Sequence, residues 1–281
     1  MVVLLLDAYN LLFRSFTSLP RSITDDEDRP INAVYGMLGY LARICRDLQA
    51  DVVMSAFDSP DVPTFRHELY PAYQGHRGPL GGEHADDFAR QVAIAQAVLP
   101  RLDVPTFNSP GYEADDVLGS LACRLDGQGK QCVIVSTDRD LLQLVGPNIQ
   151  TMAPGNPPRF ARNDEDVRAR LGVAPGGVPS FKALAGDASD NIPGVRGIGT
   201  KSAASLVNEH GSLEAIFSTL SSLPARQAML LREGHDDAFL FRQIATVVTD
   251  LDLKFDPDEI PRHAFEPGAK PRQLLRDAGY A

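Results

Sequence analysis

Three apolar runs, each closing on aspartate, set the strongest limit on what this chain can fold into. "MVVLLLD" ends at Asp7, "ADVVMSAFD" at Asp58, and "KQCVIVSTDRD" at Asp138 and Asp140. Each run is continuous rather than alternating, the pattern of a strand buried on both faces. Apolar residues at helical spacing follow the first run (Leu11, Leu12, Phe16) and recur over residues 33–49, 86–99 and 113–126. Strands alternating with helices predict an α/β fold: a mostly parallel central sheet, helices on both faces, right-handed crossovers. In such sheets ligands bind outside the carboxyl ends of the strands. All three runs deliver their aspartates to that edge. Aspartate also caps helices and opens turns, but capping alone is a poor account of three strands in three.

A further acidic group, "GYEADDVLG", places Glu113, Asp115 and Asp116 at the start of a helix. Val117, Leu121 and Leu125 follow Glu113 at i+4, i+8 and i+12, so Glu113 lies in line with the inward stripe, and Asp116 shares that side. Acids at a helix N-terminus gain about 0.3 to 1 kcal/mol each. That is too little for inward carboxylates crowded against Asp7, Asp58, Asp138 and Asp140, because an uncompensated buried charge costs far more. Arg139 is the one cation the sequence places at these strand ends. Hard divalent cations are the natural counter-charge, and a site that also holds phosphate and water favours two or three Mg²⁺ or Mn²⁺ ions.

Asp187 and Asp190 add another acidic pair just before "IPGVRGIGTKSAA", which reads as a helix-hairpin-helix over about residues 180–210. There Gly197, Ile198 and Gly199 are expected to present backbone N–H groups to a DNA phosphate, with Lys201 adding charge. The chain carries 27 Lys+Arg against 37 Asp+Glu, a net charge of −10, which at first argues against nucleic acid. The nine acids Asp7, Asp58, Glu113, Asp115, Asp116, Asp138, Asp140, Asp187 and Asp190 account for nearly all of it, so the acidity is local. Cys45, Cys123 and Cys132 are expected as free thiols, and Asp25 to Asp28 as a solvated surface. Residues 59–85, rich in Pro, Gly and aromatics, read as a functional loop or lid. No apolar run approaches a membrane span and no leader is apparent, so a cytoplasmic protein is expected. After Pro157 the pattern becomes helical, which predicts a second, α-rich lobe.

Taken together, "LLLDAYNLLFRSF", "SAFD", "TFRHELYPAYQGHR", "GYEADDVLG", "VIVSTDRDLLQLV" and "ALAGDASDNIPGVRGIGTKSA" resemble the 5′ nuclease, or flap endonuclease, family over about residues 2–253. The likeness is greatest to the 5′ nuclease domain of bacterial DNA polymerase I. The resemblance implies hydrolysis of phosphodiesters in DNA at 5′ ends, nicks, flaps and single-strand/duplex junctions, in replication and repair. It makes all nine acids metal ligands: Asp7, Asp58 and Glu113 for one ion, Asp138, Asp140 and Asp190 for a second, Asp115 between them. One ion is expected to activate water and the other to stabilise the leaving 3′ oxygen. A helical arch over about residues 64–90 is implied, with Arg66, Tyr73, Gln74 and Arg77 at the DNA and Arg77 assisting catalysis, and Arg14 as a further DNA contact. Gln74 stands where the family usually has lysine. A K⁺ ion at the hairpin, a monomeric, nucleoid-associated enzyme and a stand-alone chain complete the expectations. The domains are expected as 1–160, the nuclease core, and 161–281, a helical lobe with a packed C-terminal tail. A PIN-domain ribonuclease would lack both the arch and "GVRGIGTK". A non-catalytic junction binder would be expected to have lost some of these acids.

Overall fold

The computed structural model describes residues 1–60, 62–78, 81–266 and 268–280. Strand β1 (Val2–Asp7) runs into helix α1 (Ala8–Ser18); α2 (Asn32–Leu48) leads to β2 (Val52–Ala56), and α3 (Phe65–Leu69) and α4 (Ala85–Val98) lead to β3 (Thr106–Phe107). Helix α5 (Ala114–Asp126) then precedes β4 (Gln131–Val135), β5 (Ile149–Ala153) and β6 (Arg159–Ala161). The sheet order is β3-β2-β1-β4-β5-β6, parallel except for the β5–β6 pair. Leu6 pairs with both Ser55 and Val135, so the strands carrying Asp7, Asp58 and Asp138 lie side by side. The chain winds outward in opposite directions from β1, so the crevice sits at the switch point between β1 and β4.

The apolar runs are buried on both faces, as expected. Leu4 and Leu6 point into a core shared with α1, α2 and α4, while Val3 and Leu5 pack with α5 on the other face. Full burial of each such side chain stabilises the fold by about 1.5 to 3 kcal/mol. Strands β3, β5 and β6 carry no comparable run and were not anticipated; β6 also interrupts the helical reading after Pro157. Cys45 and Cys132 are buried and Cys123 half-buried, all free, and burial pushes the Cys45 and Cys132 thiols up to about 12.

A second core is built by α6 (Asp164–Leu171), α7 (Val178–Ala185), α8 (Thr200–His210), α9 (Leu213–Ser218), α10 (Ala225–Glu233) and α11 (His235–Ala245). The chain then returns to the sheet. Residues 246–251 cross α5 at Gly119, where an added Cβ would lie 2.6 Å from Val247 Cγ1 and 3.0 Å from the Val248 carbonyl oxygen. Leu253 joins the α5 face, and α12 (Pro271–Asp277) packs Leu274 and Leu275 against the opposite one. The tail therefore belongs with the first lobe rather than the helical one. It is fastened at Asp25, which is buried and not solvated: its carboxylate accepts from the Glu27 and Arg29 amides, from Arg29 Nε at 2.9 Å and from the Tyr280 hydroxyl at 3.1 Å.

Candidate active site

Two acids combine capping with site construction. Asp7 is the N-cap of α1, accepting from the Asn10 amide at 3.0 Å, and its second oxygen accepts from Ser136 Oγ at 2.7 Å. Asp58 reaches across to cap α5, accepting from the Ala114 amide at 2.8 Å. Glu113 and Asp115 stand at the mouth of α5 and Asp138 beyond β4, and all five line one cavity of about 630 Å³. Asp140, Asp187 and Asp190 form an adjoining group, each with a carboxylate oxygen within 4.8 Å of the others. Eight of the nine acids therefore converge.

Asp116 does not join them. It is fully buried, and both of its oxygens are saturated: by Arg66 Nη1 at 2.6 Å and the Glu113 amide at 3.0 Å, and by Arg66 Nη2 and the Val248 amide, each at 2.8 Å. No lone pair remains for a metal. Arg66, 3% exposed, is likewise removed from DNA; its Nε donates to the Ile244 carbonyl at 2.8 Å and Nη2 to that of Thr246. Tyr73 is buried too, and its hydroxyl donates to Glu113 Oε2 at 3.1 Å, so it positions a carboxylate instead of meeting DNA.

Crowding sets the electrostatics. Desolvation, with Asp58 next in importance, raises Asp7 to about 7. Desolvation also raises Glu113 to about 7, with Arg66 opposing and Asp116 and Asp58 adding to the rise. Asp115 stands well above the usual carboxylate range through desolvation and its neighbours Asp138, Asp7, Glu113 and Asp58. Asp58, Asp138 and Asp190 are raised by the same burial. Asp187 is the exception, held low against desolvation by Lys182 and Ser189.

Lys182 is the residue that sequence reasoning missed. It is buried on α7, and its ammonium meets Asp140 and Asp187 directly and lies 3.9 Å from Asp190. Arg139 remains the one cation at the strand ends, but the counter-charge is larger than that position supplies, because Lys182 and Arg66 arrive from helices distant in sequence. The signal was present: a lysine among Phe181, Ala183 and Leu184, five residues before Asp187.

The segment over residues 64–90 is helical only at its ends. Between α3 and α4, residues 71–76 form turns, and the expected arch is not a continuous helical pair among the described residues; Pro79 and Leu80 lie outside them. Gln74 Nε2 donates to Asp190 Oδ1 at 2.9 Å and to Tyr73 Oη at 3.0 Å. Arg77 is exposed at the cavity mouth and donates to the Asp190 carboxylate at 3.0 Å and the Ser189 carbonyl at 2.9 Å. Arg14 is exposed on α1.

At the hairpin, Gly194 (φ +70°) passes so close to Gly186 that an added Cβ would lie 2.3 Å from its nitrogen. Gly199 is the N-cap of α8, Gly197 lies two residues before it and Lys201 is exposed in the first turn. Ile198 departs from expectation: its side chain is buried in the second core and its amide donates to Val195 at 2.9 Å.

With this geometry in place, the comparisons with known proteins fall into line. The description "5'-3' exonuclease, N-terminal resolvase-like domain" matches residues 2–172, and "5'-3' exonuclease, C-terminal SAM fold" matches residues 173–267. The chain belongs to the 5′-3′ exonuclease family. Thermostable DNA polymerase I of Thermus thermophilus is 37% identical over 254 residues, covering 90% of this chain and 29% of that protein. That of Thermus aquaticus is 36% identical over 284 residues, covering 99% of this chain and 33% of the polymerase. This family member thus spans about a third of the length of these relatives. Among solved structures, T5 5'-exonuclease with bound zinc shares the fold at a TM-score of 0.72 and 22% identity, over 88% of this chain and 90% of that one. A T5 flap endonuclease complex with DNA and metal ions has a TM-score of 0.71 at 20% identity, over 99% of this chain and 100% of the other. The family boundary falls after α6, whereas Val167 packs α6 into the second core. No helix among the described residues is long and apolar enough to cross a membrane.

Proposed function

We propose that this 5′-3′ exonuclease-family chain hydrolyses phosphodiester bonds in DNA at 5′ ends and at single-strand/duplex junctions, flaps included, with two or three divalent ions, Mg²⁺ or Mn²⁺. The observation that carries the reading is the convergence of eight carboxylates, several held above their ordinary range, in a crevice whose built-in cations do not balance them. That donor set, all oxygen and anionic, fits hard divalent ions. Asp7, Asp58, Glu113, Asp115 and Asp138 would hold ions in the main cavity, and Asp140, Asp187 and Asp190 in the adjoining group. Bound there, such ions supply Lewis acidity that eases ionisation of water and charge on the leaving oxygen.

The chain's own residues supply the rest. Ser136 and the Asn10 amide fix the Asp7 carboxylate, and Tyr73 fixes that of Glu113. Arg77 and Gln74, at the mouth, are read as contacts to a phosphate oxygen, Gln74 exchanging its bond to Asp190 for one to the ligand. Gln74 brings a hydrogen bond without the charge a lysine would add, so Arg77 carries the cationic part of that task. Gly197, Gly199 and Lys201 at the start of α8 are read as a grip on duplex phosphates, with K⁺ as an accessory ion there. The test is cleavage of a labelled 5′-flap DNA with Mg²⁺, with Mn²⁺ and with chelator. Products released at the junction only when metal is present uphold the reading, and equal cleavage in excess chelator rejects it.

A further inference from the structure

Beside the acid crevice lies a second cavity, of about 250 Å³, that shares Ser136 and Asp138 with the site described above and is otherwise outside it. Buried Ser136, Leu142 and Thr151 form part of its lining, and exposed Arg139, Arg159 and Arg170 line it with Asp138. We propose that this cavity seats a phosphate group of the DNA strand being cut, separate from the phosphate at the acids; the proposal rests on the nuclease reading above.

Three observations carry it. In a chain of net charge −10, three guanidiniums gather here, and none of them forms an ion pair among the described residues. Some arginines elsewhere in the molecule are neutralised by carboxylates, as Arg66 is by Asp116, Arg21 by Asp87 and Arg242 by Glu214, whereas all three at this cavity keep their charge free of one among the described residues. Guanidiniums not neutralised by a carboxylate suit a tetrahedral oxyanion, which they bind through several parallel N–H groups.

Second, Arg170 is held in place. Its Nη2 donates to the carbonyl of Phe160, whose ring in turn carries the Arg162 guanidinium at 4.2 Å, so part of its ordering is complete before a ligand arrives. Third, the cavity is continuous with the site. A neighbouring cavity of about 640 Å³ shares Thr137, Asp138, Arg139 and Arg170 with it, and is also lined by Lys182, Asp187 and Thr200, the first residue of α8. The two form one trough that carries arginines, the acid cluster and the start of α8. A DNA strand is a ligand with phosphates repeating along such a path, and a lone small anion would have no use for its length.

Arg159 is the residue to test, because its side chain makes no hydrogen bond or ion pair among the described residues. Binding of 5′-flap DNA, with a 5′-phosphate or a 5′-hydroxyl end, would be measured by anisotropy without metal across a salt series, and cleavage in Mg²⁺ would be followed in parallel. Arg159→Gln is expected to weaken binding about five- to tenfold and flatten the slope of log affinity against log salt by roughly 0.7 to 0.9, the loss of one phosphate contact. KM should rise with kcat little changed, and Arg159→Lys should recover much of the affinity. Equal losses on both DNAs assign the cavity to an internal phosphodiester, and a loss confined to 5′-phosphorylated DNA assigns it to the terminal phosphate. An unchanged affinity and salt slope in Arg159→Gln overturns the proposal. Wild-type protein that binds DNA with this arginine dependence yet cuts nothing overturns the nuclease reading and leaves the cavity assignment standing.

Discussion

Arg66 and Asp116 face each other in a bidentate pair, Nη1 and Nη2 to the two carboxylate oxygens at 2.6 and 2.8 Å, with neither side chain open to water. Removing one partner of such a pair leaves a buried, uncompensated charge, at a cost of about 3 to 5 kcal/mol. Arg66→Ala is therefore expected to lower the urea midpoint by a corresponding amount. Asp116→Asn should also destabilise, while changing divalent-ion affinity little in protein that remains folded. A variant of Asp116 with full stability and weakened ion binding would return this residue to the ligand set.

Asp58 and Asp138 carry the opposite expectation. Asp58→Asn retains an oxygen for the Ala114 amide and Asp138 lies open to the crevice, so neither change should unfold the protein. Cleavage in Mg²⁺ is expected to fall by at least about 10²-fold, on the scale of removing an electrostatic contributor to catalysis, with flap-DNA affinity largely intact. Turnover near wild type in either variant would dismiss that residue as a ligand.

The raised acids make metal-free stability depend on pH. Asp7 and Glu113 stand near 7 in the folded chain against ordinary values of 3.8 and 4.5. The folded state thus keeps protons that the unfolded chain has released, and stability falls with rising pH across that window. There is no penalty below about pH 4, and it is complete somewhat above about pH 7. Melting temperatures measured in chelator should decline from about pH 5 to about pH 7.5, and Mg²⁺ should recover most of the loss at the higher pH by binding the folded form. A flat chelator profile would contradict the crowding.

Lys182 occupies the place where an ion would meet Asp140 and Asp187. Its ammonium and a cation compete for the same oxygens, so Lys182→Gln should tighten divalent-ion binding, seen by calorimetry, while lowering stability in chelator. Weaker ion binding in this variant would mean that the lysine organises the acids more than it competes.

What could be read from the sequence, and what could not, divides along the range of the interactions. The strands through Asp7, Asp58 and Asp138 were legible because unbroken apolar runs report burial directly, and strand ends locate the crevice in any parallel sheet. For Asp116, helical periodicity gives the inward side without saying what waits there; the partner, Arg66, comes from fifty residues earlier. Asp25 reads as one of several solvated acids, and one of its partners in the fold, the Tyr280 hydroxyl, comes from the far end of the chain. Lys182 lies on a helix far in sequence from the strand ends, so the pattern around those ends carries no trace of it. Strands β3, β5 and β6 are short or lie toward the sheet edges, where hydrophobic patterning is weak.

The return of residues 246–266 and 268–280 to the sheet means that the polypeptide completes its first half last. The carbonyls of Ile244 and Thr246 receive Arg66, and the Val248 amide satisfies Asp116, which in turn holds the Glu113 amide. Division of the gene product near residue 172 would yield two incomplete pieces: one with an exposed apolar flank and a guanidinium short of acceptors, the other a helical bundle whose Lys182 had lost Asp140. The two portions are therefore expected to be inherited together, and neither should serve as a transplantable module on its own.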